Sequence, residues 1–172
     1  MHSGGDPGLA ADLRFSPGAC AAGLRALAAG AVILTDTAMA AAAVAPMAQR
    51  TFANPVHSVL AWAPPTAPAG STRAARGMAG ALAAHPGAVV LVGSAPTALE
   101  YLLENCGAGA APPALVIGMP VGFVGVAESK RRLAASALPQ IRLEGTRGGA
   151  ALAAAAVNAL LRRAWLTQPR PA

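Results

Sequence analysis

At 172 residues the chain has the size of one domain with a single core. It is 55% hydrophobic, but about a quarter of it is alanine, so the mean hydropathy of +0.49 reflects methyl groups more than bulky side chains. The net charge of +6 comes from 13 cations, all but one of them arginine, against 7 carboxylates; with 3% aromatics and no long cationic run, the composition argues against nucleic acid.

In chain order, the opening Met-His-Ser-Gly-Gly-Asp lacks a basic region followed by an apolar core, so no signal peptide is expected and the protein reads as soluble and cytoplasmic. Ser16-Pro17 predicts a helix start, with Ser as the cap, and the helix runs through Leu24 and Leu27 to a stop at Gly30. Val32 to Leu34 predicts a short buried strand, and Ala38 to Gln49 a helix. The apolar stretch Ala26 to Met47 is broken by Thr35, Asp36, Thr37 and Pro46, which excludes a membrane span. Val56 to Trp62 reads as a strand, and Pro64 to Gly70 as a rigid loop.

Thr72 to Ala84 predicts a helix ending at His85-Pro86-Gly87. Val89 to Val92 predicts a buried strand, Pro96 to Cys106 a helix, and Leu115 to Ile117 another buried strand. Val126 to Ala135 is helical, Ile141 to Leu143 a strand, and Gly149 to Trp165 a long Ala/Leu helix. The expected organisation is a single domain over residues 1–166 with a frayed tail over 167–172. Short apolar strands alternating with helices define an α/β fold: a doubly wound, mainly parallel sheet of about five strands with helices on both faces.

In such a sheet, ligands bind beyond the carboxyl ends of the strands. Those ends carry Thr35-Asp36-Thr37, Gly93 to Thr97, Gly118 to Gly125 and Gly145 to Gly149. Glycines there allow close approach to backbone, and helix N-termini suit anions. No phosphate-binding glycine motif and no Gly-x-Ser-x-Gly elbow is present, which argues against nucleotide binding and serine hydrolysis. Spread arginines fit a small ligand bearing several carboxylates. Cys20 and Cys106 lack metal-site spacing and read as reduced thiols within helices. Among the three histidines, His57 and His85 read as structural, and spacing alone would make His2 a loose terminal residue.

Taken together, these runs resemble the precorrin-8X methylmutase family. The carriers are Phe15 to Ala19, Ile33 to Asp36 with Met39, Ser71-Thr72-Arg73, Gly93 to Leu99, Pro113 to Gly125, Ala127 to Lys130, and Gly145 to Gly149 with Ala154 to Leu160. The run from Pro113 to Lys130 is the most specific, and the resemblance covers nearly the whole chain in order.

The resemblance implies an α/β homodimer with its active sites near the dimer interface and no metal or organic cofactor. The implied reaction belongs to cobalamin biosynthesis. It shifts a methyl group from C-11 to C-12 of precorrin-8X, a tetrapyrrole, giving hydrogenobyrinate; the anaerobic branch uses a cobalt-bearing analogue. His2, in His2-Ser3-Gly4-Gly5, occupies the place of the family's catalytic histidine. The same resemblance makes Asp36, Arg73, Ser94, Thr97, Gly118, Met119, Gly122, Phe123, Lys130, Thr146 and Arg147 candidates for substrate contact. It also implies a mostly helical arm of roughly 40 residues before the histidine, absent from this chain. A tetrapyrrole binder without catalysis and a structural partner without a ligand stay open as rival readings. Neither membrane nor nucleic acid is expected as a partner.

Overall fold

The computed structural model describes residues 2–106 and 111–168. A 3-10 turn, His2–Gly4, opens the chain, followed by α1 (Leu9–Asp12), β1 (Leu13–Phe15), α2 (Ala19–Ala28), β2 (Ile33–Thr35) and α3 (Ala38–Arg50). Next come β3 (Val56–Ser58), a 3-10 turn Val59–Trp62, α4 (Arg73–Ala84), β4 (Val89–Val92) and α5 (Pro96–Asn105). β5 (Leu115–Gly118), α6 (Val126–Ala135), β6 (Gln140–Leu143) and α7 (Ala150–Thr167) complete the described chain.

The strands form one sheet in the order β1-β6-β5-β4-β2-β3. β2 to β6 run parallel and β1 pairs antiparallel with β6. The fold is α/β with a mostly parallel sheet, as the alternating pattern requires. Side chains of β4 and β5 are buried on both faces, which explains their unbroken apolar runs. Leu27, Ile33, Val44, Leu91, Ile117, Val157 and Leu161 build the core under α2, α3 and α7. Leu34, Met78, Val90, Leu99, Leu102, Val116 and Leu133 build the other under α4, α5 and α6.

Three local expectations need correction. The sheet has six strands; the sixth, β1, carries Arg14 between Leu13 and Phe15 and so lacks the signature of a buried strand. The segment Val56 to Trp62 is a strand only to Ser58, whose hydroxyl accepts from the Leu60 N–H and turns the chain into the 3-10 segment. α2 begins at Ala19 behind a left-handed Gly18, because the Ser16 hydroxyl accepts from the Gln140 N–H at 2.9 Å instead of capping the helix. Cys20 sits exposed in α2, and Cys106 closes α5, where burial pushes its thiol pKa up. Thr167 is still helical, and residues 169–172 of the expected tail lie outside the described residues. Among the described residues, no helix is long and apolar enough to cross a membrane.

Candidate functional site

Parallel pairing of β2, β4, β5 and β6 brings their carboxyl ends to one rim. All four predicted loops therefore share that rim. The strand order reverses between β2 and β4, the point where doubly wound sheets open a crevice. Here the crevice is filled by the chain itself. Asp36 is 1% exposed, and its Oδ2 accepts from the backbone N–H groups of Gly93, Ser94 and Ala95 at 3.0, 2.6 and 2.8 Å. An internal carboxylate thus occupies the position where an external anion would sit, so Asp36 shapes the β4–α5 loop from below.

The remaining loops interlock. The Met119 N–H donates to the Val92 carbonyl at 2.8 Å, the Gly149 N–H to the Met119 carbonyl at 2.8 Å, and the Gly122 N–H to the Thr146 carbonyl at 3.1 Å. Gly93 is required by close approach: a Cβ there would lie 2.6 Å from the Ala150 Cα at the start of α7. At Gly118 a Cβ would lie 2.3 Å from Leu133 Cδ2, so its missing side chain admits α6 and gives no bed to a ligand. Met119 is likewise buried, facing an apolar cavity of about 200 Å³ with Leu9, Leu13, Leu143 and Leu152.

Lys130 and Arg147 also differ from expectation. Lys130 is 2% exposed, and its Nζ donates to the carbonyls of Gly145 at 2.9 Å and Arg147 at 2.6 Å. Burial pushes its pKa down to about 8, against the pull of the Asp12 carboxylate. The Arg147 guanidinium is paired with Asp6 and, at 3.2 Å, with Asp12. Both cations are therefore engaged by the protein, through partners too remote in sequence for spacing to indicate.

The lowered pKa carries a sign. Between about pH 8 and the ordinary 10.5 the unfolded chain holds a proton that the folded chain has released, so stability rises with pH through that window. Below pH 8 the burial penalty is fully present. Lys130→Met should remove about 1–3 kcal/mol of that rise. Urea midpoints at about pH 7.5 and about pH 9.5 check this; an equal rise in parent and variant would assign it to other groups.

What the rim leaves open to solvent is a mixture. Met39 is 67% and Phe123 93% exposed, beside exposed Val121 and Val124. Thr97 is exposed, and its hydroxyl lies 2.8 Å from that of Thr72, the cap of α4. Ser94 is half-buried, Gly122 is half-buried and Thr146 is exposed. Arg73 is exposed with its Nε donating to the Pro64 carbonyl at 3.0 Å. Neither Arg73 nor Arg76, one turn further along α4, forms an ion pair among the described residues. Arg76, which sequence reasoning did not single out because its run carries no motif, is exposed as Arg73 is. A cavity of about 330 Å³ opens between α4 and α5, lined by Thr72, Thr97, Glu100, Tyr101 and Glu104.

The turn His2–Gly4 packs beside Leu152 in the first turn of α7, so the His2 backbone stands at this same rim. The His2 side chain lies outside the described residues. His57 and His85 lie away from that rim. They stack on each other at 5.5 Å, with Trp62 edge-on to both, where α4 ends at the opposite rim. Among the described residues, no group of three or more His, Cys, Asp or Glu could hold a metal ion.

The fold defines an α/β protein with a mostly parallel sheet, whose carboxyl rim carries exposed apolar side chains and hydroxyls. A sequence model described as precorrin-8X methylmutase matches residues 1–163, and the chain belongs to that family. A precorrin-8X methylmutase of Pseudomonas aeruginosa is 50% identical over 165 residues, covering 93% of this chain and 79% of the relative. A cobalt-precorrin-8 methylmutase of Synechocystis is 45% identical over 147 residues, covering 86% of this chain and 67% of the relative. The crystal structure of a precorrin-8X methylmutase from Thermus thermophilus matches with a TM-score of 0.84 at 46% identity, covering 95% of this chain and 81% of that one. The chain is thus an isomerase of cobalamin biosynthesis that shifts a methyl group within its substrate.

Proposed function

We propose that the chain converts precorrin-8X to hydrogenobyrinate on the rim formed by the loops after β2, β4, β5 and β6. The observation that carries this reading is the arrival of four remote loops and the His2 turn at one edge of the sheet. The macrocycle lies against Met39 and the Val121–Val124 loop, whose exposed apolar groups suit a flat conjugated ring. Its acetate and propionate arms meet Arg73, Ser94, Thr97 and Thr146, and Arg76 adds a second guanidinium. Asp36, Gly118, Met119, Lys130 and Arg147 act from beneath, fixing the loops.

In the reaction the C-11–methyl bond breaks as the C-12–methyl bond forms. The His2 imidazolium gives a proton to the ring and takes it back, so no co-reactant is consumed. Protonation draws electron density from the migrating bond and lowers its barrier. A second copy of the chain closes the site over the macrocycle, as the family resemblance implies. The working unit is a cytoplasmic homodimer, with residues 1–166 acting as one domain without a metal or organic cofactor.

Incubation with metal-free precorrin-8X and, separately, its cobalt analogue tests the proposal. Conversion of the metal-free substrate, followed by chromatography of the product, is expected; conversion of the cobalt analogue alone, or tight binding of both without conversion, would contradict it. Arg73→Ala should weaken hydrogenobyrinate binding about tenfold while leaving kcat nearly unchanged. A pigment titration of the variant checks this, and unchanged affinity would remove Arg73 from the site.

A further inference from the structure

The His2 turn is followed by a charge cluster that the methyl shift does not itself require. Arg147, in the β6–α7 loop, spans two carboxylates of the N-terminal segment: Nη2 pairs with Asp6 and Nη1 with Asp12 at 3.2 Å. Asp6 also accepts, through Oδ1, the Gly8 N–H at 2.7 Å, which fixes the turn after His2. From below, buried Lys130 holds the Arg147 carbonyl at 2.6 Å and the Gly145 carbonyl at 2.9 Å. The Glu144 N–H donates to the Asp12 carbonyl at 2.9 Å, tying the far end of the segment to the same loop. The cluster is a continuous connection from the α6 core to the backbone that carries His2.

The three paired side chains are each roughly two-fifths exposed, and exposed ion pairs contribute little to global stability. Their geometry serves a different end, because a forked guanidinium holding two carboxylates fixes direction as well as distance. We infer that Asp6, Asp12 and Arg147 form a positioning clamp that sets where the His2 turn meets the rim, with Lys130 as its anchor. The inference rests on the reading of His2 as the acid. Asp6, Asp12 and Arg147 are positioning residues, since none is assigned to touch the reacting carbons.

Asp6→Asn isolates the clamp. Asparagine keeps an oxygen for the Gly8 N–H and replaces the charged acceptor that holds Arg147 with an amide NH2. We measure kcat and KM with precorrin-8X, and backbone hydrogen exchange over residues 2–12, in the parent, Asp6→Asn, Asp6→Glu and His2→Ala. In Asp6→Asn, kcat should fall about 10- to 100-fold with KM little changed, as a misplacement near 1 Å produces. Exchange should rise within residues 2–12 alone, and Asp6→Glu should recover part of both losses.

If Arg147 instead bound substrate, Asp6→Asn would free it, lowering KM at unchanged kcat, and the clamp would be overturned. Full turnover in Asp6→Asn beside an inactive His2→Ala would remove the clamp and leave the acid in place. Full turnover in His2→Ala would remove the acid, and with it this use of the clamp, while hydrogen exchange would still report whether the segment is held.

Discussion

His2→Ala is expected to lower turnover of precorrin-8X by about 10²–10⁴-fold while leaving hydrogenobyrinate affinity within a few-fold of the parent. The size follows from the role. An imidazole exchanges protons near neutral pH with little driving force lost in either direction, and its removal leaves the binding surface in place. Among the described residues the other two imidazoles, His57 and His85, lie in the Trp62 cluster at the other end of α4 and cannot substitute. Turnover kinetics with the purified pigment check this. Near-parental kcat in the variant would reassign the proton transfer, and a large loss of affinity with intact kcat would make His2 a binding residue.

Asp36→Ala is expected to lower stability by about 2–4 kcal/mol, seen as a fall in the urea midpoint. One carboxylate oxygen serves three backbone N–H groups at 2.6 to 3.0 Å, and the Gly93 donor among them is buried. Alanine leaves all three without their partner, the buried Gly93 N–H at the greatest cost. The consequence reaches the site, because the same loop presents Ser94 and starts α5 at Pro96. Asp36→Asn should fall between parent and alanine, since one acceptor oxygen remains but its charge is lost. A variant as stable as the parent would mean that the loop holds its shape without the carboxylate.

Much of this fold could be read from the chain, for a physical reason. β4 and β5 are buried on both faces, so Val89–Val92 and Leu115–Ile117 stand out as unbroken apolar runs between helices. β1 escaped notice because an edge strand of three residues can carry Arg14 at its centre. The 3-10 segment at Val59–Trp62 has the composition of a strand, and only the Ser58 hydroxyl, turned back on Leu60, redirects it.

The gathering of the four loops was legible as well, because strand ends must share a rim once the sheet is parallel. The roles within it were not. Asp36 finds its donors 57 to 59 residues away and Arg147 finds Asp6 across 141, contacts that exist only after the sheet is assembled. Glycine at 118 resembles a ligand cradle in sequence, but Leu133 of α6 uses the space. The resemblance named the reaction; the folded chain separates side chains that face solvent at the rim from those that hold the rim together.

The most direct measurement is a crystal structure of the chain with hydrogenobyrinate bound. The account predicts the pigment seated against Met39, Ser94, Thr97 and the Val121–Val124 loop, an arm on Arg73, and an imidazole nitrogen of His2 within about 3.2 Å of a ring atom. A pigment lodged at the opposite rim, or one with His2 remote from it in every copy of the assembly, would contradict the account.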